Sequence, residues 1–413
     1  MIQYDHFQLD NGLPFYVIHD PTTPMAAVNI LYNVGARDEV SNKTGFAHLF
    51  EHLMFGGSAN IPKYDEPLQR AGGDNNAFTN SDITNYYLSL PASQLETAFW
   101  LESDRMLDLA FSEKSLDVQR QVVSEEFRQN YLNQPYGDVW LLLKPLAYKT
   151  HPYQWNTIGK EISHIEQAEL QDVRDFYRRF YNPNNAIVVV AGNLETKKVK
   201  QLAEKWFGPI PAGENYQRML QQEPVQTEAR ELRVTRDVPQ SAIYKAYHIS
   251  GRGDKDFYTV DLISDLLGSG QSSRLYKSLV RKQQLFSEIN AFVTGDLDPG
   301  LLIVTGKITP GIDADNAHAA LEQEIARLSE KPPSAPELRK VKNKAIATNI
   351  FGELSLLNQA MSLAFYAHLG TPEIINDIPK MYEAVNPAAL FEHAKTVLRP
   401  ENCSTLFYLS EKN

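Results

Sequence analysis

The stretch Gly45-Phe46-Ala47-His48-Leu49-Phe50-Glu51-His52-Leu53-Met54-Phe55 decides how the rest of the chain is read. After Gly45 it contains neither glycine nor proline, and Ala, Leu, Phe and Met all suit a helix. Positions four apart on a helix lie one turn above each other. His48 and His52 therefore present two imidazoles on one face, and Glu51 flanks that face. Two neutral imidazoles at this spacing can hold a divalent metal, for which zinc is the best match. A carboxylate beside them, not bound to the metal, is placed to act as a general base.

A catalytic zinc takes three protein ligands and one water, so one ligand is missing. The other histidines (His6, His19, His151, His164, His248, His318, His368 and His393) stand in no partner motif. The carboxylate candidate lies in Gln119-Arg120-Gln121-Val122-Val123-Ser124-Glu125-Glu126. On a helix, Val122 and Val123 share the face of Glu126, which is expected to point inward, with Glu125 toward water. An inward carboxylate is costly unless it is paired or metal-bound.

Moving outward, residues 14–19 and 25–34 read as strands with a turn around Pro21-Thr22-Thr23-Pro24. Gly56-Gly57-Ser58 ends the histidine helix. Residues 84–90 and 186–192 read as strands. Helices are expected at 93–108, from Ser112 to about Asn130, at 167–180 and at 194–207. In the first of these, Leu95, Phe99, Met106 and Leu107 are expected inside, with Glu96, Glu102 and Asp104 mostly outside.

Two domains are expected, residues 1–212 and 230–413, joined by a polar linker at 213–229. The second repeats the first. Gly35 and Asp38 match Gly251 and Asp254, 216 residues on, and Pro183 matches Pro400. A repeat of this length implies two homologous halves. Positions 216 after His48, Glu51 and His52 are Ser264, Leu267 and Gly268, so the copy carries no metal ligands.

The formal net charge is −11, which argues against a nucleic-acid binder and a polybasic membrane anchor. The single cysteine, Cys403, permits no intrachain disulfide. No apolar run approaches the roughly 18 residues of a membrane span. The first ten residues contain no basic segment followed by an apolar one. The expected location is cytoplasmic, or periplasmic if a leader was removed.

His48-x-x-Glu51-His52, then Gly72 to Thr79, then Val122 to Glu126 resemble the pitrilysin/insulinase family of zinc peptidases. The resemblance runs over nearly the whole chain, and the length resembles the short-subunit branch. That branch includes mitochondrial processing peptidase and bacterial two-subunit peptidases. It implies an α+β fold of two homologous halves, each a mostly antiparallel sheet packed with helices. It implies one Zn2+ per chain held by His48, His52 and Glu126, with Glu51 as base. It also implies an edge strand, Asn76-Ala77-Phe78-Thr79, that pairs with the backbone of an extended peptide substrate. The family's two halves, or two subunits, close like a clamshell.

Two positions depart from the family pattern. A second glutamate often stands seven residues before the third ligand, where this chain has Gln119. The segment from Gly270 to Arg281 resembles one whose arginine, with a tyrosine seven residues later, holds substrate. Arg281 is present, but the later position is Glu288. A carboxylate there repels a developing oxyanion. The expectation is that a homologous second subunit supplies the arginine/tyrosine half-site, in a heterodimer or, alternatively, a homodimer. Two rival readings are a non-catalytic core subunit of the same fold and a peptidase dedicated to one precursor.

Overall fold

The computed structural model describes residues 1–411. The architecture is α+β, with two mixed sheets packed with helices. The strands of the first sheet are β1 (Tyr4–Gln8), β2 (Pro14–His19), β3 (Met25–Tyr32), β4 (Asp74–Thr79), β5 (Thr84–Pro91) and β6 (Ala186–Gly192). They lie in the order β1-β2-β6-β3-β5-β4. Only β2 and β6 run parallel; the other neighbours are antiparallel. The second sheet holds β7 (Arg230–Arg236), β8 (Ala242–His248), β9 (Phe286–Val293), β10 (Leu301–Ile308) and β11 (Cys403–Ser410). Its order is β7-β11-β8-β10-β9, with only β7 and β11 parallel. The expected mostly antiparallel sheets are therefore observed.

The five helices that matter below are α1 (Phe46–Met54), α2 (Glu113–Phe127), α3 (Val139–Ala147), α4 (Phe257–Gly268) and α5 (Leu356–His368). In α1, Phe46, Ala47, Leu49, Phe50, Leu53 and Met54 are buried. Phe50 stacks among Phe111, Phe176, Tyr177 and Tyr181. A fully buried Phe side chain contributes roughly 1.5–3 kcal/mol, enough to fix the rotation of a helix this short. The only residues of α1 left partly exposed are His48, Glu51 and His52.

The internal repeat is visible in individual hydrogen bonds. The Gly35 N–H donates to Asp38 Oδ2 at 3.0 Å, and the Gly251 N–H donates to Asp254 Oδ2 at 2.8 Å. Pro183–Asn185 and Pro400–Asn402 each form a 3-10 turn ahead of a strand. The Asn185 side chain donates to Phe180 O, and that of Asn402 to Val397 O, each five residues back. β9 also repeats β4. Asn290-Ala291-Phe292 echoes Asn76-Ala77-Phe78, and each asparagine Oδ1 accepts from the next residue's N–H.

The chain packs as two compact units that exchange segments. One comprises residues 1–127, 155–220 and 350–377. Within it α5 packs on β3 and β6 and buries Ala360, Leu363 and Ala364. The other comprises residues 128–154, 221–349 and 378–413. There α3 places Val139, Leu143 and Ala147 in a core with Ala242, Ala246, Ile303 and Leu406. A contiguous division into 1–212, 213–229 and 230–413 stands as a proposal about the homologous halves; the packing units interleave across it. Residues 213–229 contain no helix or strand, yet they are anchored. Arg218 pairs with Asp38 at 2.7 Å in the first unit. Glu223 accepts the N–H groups of Lys149, Thr150 and His151 in the second.

One helix differs from expectation in which residues face inward. In Leu95–Leu107, Glu102 and Asp104 are buried, while Leu107 is 49% exposed. Glu102 binds Arg105 at 2.6 Å and Asp104 accepts from Asn60 at 2.7 Å. Buried carboxylates with such partners are tolerated, and polarity alone does not reveal the partners.

Candidate metal centre

His48 and His52 sit one turn apart on the single polar face of α1. Glu126 reaches them from the last turn of α2. Ser112 starts α2 as expected, its Oγ accepting the Ser115 N–H at 3.1 Å. The three side chains offer ligand atoms that all lie within 4.8 Å of one another. Glu126 Oε2 is 3.8 Å from His48 Nε2 and 3.5 Å from His52 Nε2. These spacings are long for hydrogen bonds. They approach the roughly 3.3–3.5 Å between donors that sit about 2.1 Å from one tetrahedral ion.

The electrostatics of His48 favour a cation there. Burial holds the His48 imidazole down at about 4, with His52 adding to the depression and Glu126 opposing it. His48 is therefore neutral, the form that ligates. Its Nδ1 is buried without a hydrogen-bond partner. Two imidazoles and a carboxylate form a donor set that catalytic zinc takes, so these residues fit the ion.

Glu126 faces the site as expected, and Glu125 is exposed. The companion expectation for Val122 fails. Val123 is fully buried, but Val122 is 44% exposed. The inward face of α2 runs through Leu116, Val123 and Phe127. Val122 lies one helical step, about 100°, from Val123.

Glu51 points from the same face of α1, and Thr79 Oγ1 donates to its Oε2 at 2.5 Å. Burial pushes the Glu51 carboxyl up, while the Thr79 bond and His52 pull it down. β4 is the edge strand of its sheet. Along it Ala77 and Thr79 face one way, while Asn76 and Phe78 are exposed on the other. Thr79 thus binds Glu51 as well as belonging to the strand, a link that strand patterning did not signal. Arg281 stands in the second unit, exposed on the π-helical turn Tyr276–Lys282. Glu288 pairs with Lys307 at 3.1 Å across β9 and β10.

Sequence reasoning also passed over Glu39. This residue is 8% exposed. Its Oε2 accepts the Gly45 N–H and its Oε1 the Ala47 N–H, both at 2.8 Å. Burial pushes its carboxyl up to about 8, opposed by the N–H groups of Ala47, Gly45 and Phe46. A signal was present: the Gly35/Asp38 repeat continues to Lys255 at the matching position.

Comparison with known proteins adds independent findings. Residues 15–159 match the family model described as insulinase (peptidase family M16), and residues 167–345 match the M16 inactive domain. The chain is 32% identical over 335 residues to the zinc protease PqqE of Helicobacter pylori, covering 80% of this chain and 74% of that protein. It is 24% identical over 380 residues to the uncharacterized zinc protease YmxG of Bacillus subtilis, covering 90% and 91%. A crystal structure of a protease from Helicobacter pylori superposes with a TM-score of 0.94 at 29% identity, covering 99% of this chain and all of that one.

Proposed function

The chain belongs to the insulinase (M16) peptidase family, and from that premise we propose that it hydrolyses peptide bonds in extended peptides with zinc. The convergence of His48, His52 and Glu126 beside Glu51 carries this reading. One zinc per chain would be held by those three ligands. A bound zinc supplies Lewis acidity, lowering the pKa of a water toward ~7 and polarising a carbonyl.

The chain's own residues do the rest. His48, neutral because burial depresses it, and His52 would ligate through Nε2, and Glu126 would bring the negative charge that balances the ion. Glu51 takes the proton of the attacking water and returns it to the leaving amine. Its raised pKa suits both halves of that transfer. Thr79 holds the carboxylate in place through one oxygen and leaves the other for the water. The free edge of β4, including Asn76, Ala77 and Phe78, receives the substrate as an added strand. Main-chain pairing then favours extended peptides over folded ones.

Glu51→Gln tests the reading. The variant should keep its zinc and lose about 10²–10⁴-fold in peptide hydrolysis. Undiminished hydrolysis at full zinc content would remove Glu51 from the mechanism.

The reading extends to a partner. The Glu288–Lys307 ion pair occupies the place where the family pattern has a neutral hydroxyl. Arg281 therefore lacks its companion, and a homologous second subunit completes the substrate-holding half-site. Hydrolysis that appears only on mixing the two chains supports this; full activity of this chain alone contradicts it.

A further inference from the structure

α1 has no cap of its own. Its N-cap residue, Gly45, is left-handed at φ +86°. A Cβ there would lie 2.5 Å from Ile165 Cδ1 and 2.7 Å from Ile158 O. No capping side chain fits at this position. The first intrahelical bond is Leu49 N–H to Gly45 O at 2.9 Å, so the amides before Leu49 need partners outside the helix. His48 lies within that unsupported turn.

His48 also lacks the support that ligating histidines usually receive. A second hydrogen bond at the far ring nitrogen normally sets the orientation of the ring. Here Nδ1 is buried and unpartnered. The direction of Nε2 must then come from packing and from where the backbone of the first turn lies.

We infer that Glu39 is a positioning residue for the metal centre: its carboxyl clamps the Gly45 and Ala47 amides and so fixes the turn that aims His48. The inference rests on the zinc reading given above. The geometry is two-sided, one oxygen to each amide at 2.8 Å. The site is buried, so water does not substitute.

The duplicate half provides an internal control. Its equivalent of Glu39 is Lys255, and its helix α4 begins at Phe257, five positions earlier than α1 when the 216-residue offset is applied. The amides of Thr259 and Val260 bond Asp256 O directly. The half without ligands continues its helix through the region that the metal half gives to the Glu39–Gly45 loop. The buried glutamate occurs with the ligands, not with the scaffold.

The test is the zinc affinity of Glu39→Gln, measured by chelator competition, together with the visible spectrum of the cobalt-substituted protein. Gln keeps the size but offers one acceptor for two amides. Zinc binding should weaken about 10-fold or more, as for other supporting partners of metal ligands, and the cobalt bands should shift. A purely structural residue would lower the melting temperature and leave both readouts unchanged, and that result overturns the inference. Should Glu39→Gln fail to fold, amide exchange on the wild-type chain decides. By reciprocity, zinc must slow exchange at Gly45 and Ala47 more than at Thr259 and Val260; equal slowing overturns the inference. A wild-type chain that takes up no zinc overturns the metal reading itself. A zinc-binding wild type matched by Glu39→Gln overturns only the role of Glu39.

Discussion

Helices α1 and α4 occupy corresponding places in the two halves, yet they meet their edge strands differently. At the position of His52 the second half has Gly268, and at the position of Ala77 it has Ala291. A Cβ built on Gly268 would lie 2.3 Å from the Ala291 N and 2.6 Å from its Cβ. The glycine lets α4 lie directly on β9. In the first half the same space, between α1 and β4, holds His52, Glu51 and Thr79. The duplicate therefore lacks the room for such a site as well as the candidate ligands. The difference separates scaffold from chemistry. Both halves keep the Gly–Asp turn, the Pro–Asn turn and the Asn-Ala-Phe edge. At the start of its helix only the first half has the left-handed Gly45, the buried Glu39 and the unpartnered Nδ1 of His48; the matching positions in the second are Asp261, Lys255 and Ser264.

The strongest way to break this comparison is to put the ligand back. Gly268→His should destabilise the protein by ~3 kcal/mol or more through overpacking against β9. It should add no second zinc. Urea denaturation and metal analysis check both, and a variant as stable as wild type would show that α4 and β9 are not in closed contact.

A smaller effect sharpens the comparison through pH. Burial depresses His48 to about 4 in the zinc-free protein, against about 6.5 in an unfolded chain. The unfolded state therefore binds the proton first as pH falls. Stability from the neutral imidazole is complete above about 6.5 and is lost on descent toward 4, by up to ~3 kcal/mol. His368 is likewise depressed to about 4, by burial and by the charges of Arg37 and Arg218. Its contribution cancels when wild type and His48→Asn are compared. Zinc-free His48→Asn should show a flatter loss between pH 6.5 and 4; identical slopes would contradict the assignment. α4 has no titrating group at the equivalent position, Ser264.

The candidate ligands on α1 were legible because the helix leaves exposed only the residues that its spacing places together. Glu126 was legible from its helix position, though for a partly mistaken reason, since Val122 faces solvent. Other features were hidden for physical causes. A helix's own pattern does not say which sheet it covers, so the exchange of residues 128–154 and 350–377 between units left no local mark. Glu102 and Asp104 look like surface acids until Arg105 and Asn60 are placed beside them. Glu39 acts on backbone amides six and eight residues later, which no local pattern marks; only its replacement by Lys255 in the repeat sets it apart.

The central claim is a single zinc site confined to the first half. Metal analysis of the purified wild type and of His52→Ala tests it most directly. One zinc per chain, lost in His52→Ala, is the predicted result. No stoichiometric zinc in the wild type, or zinc retained after His52→Ala, would contradict it and favour a non-catalytic scaffold of the same fold.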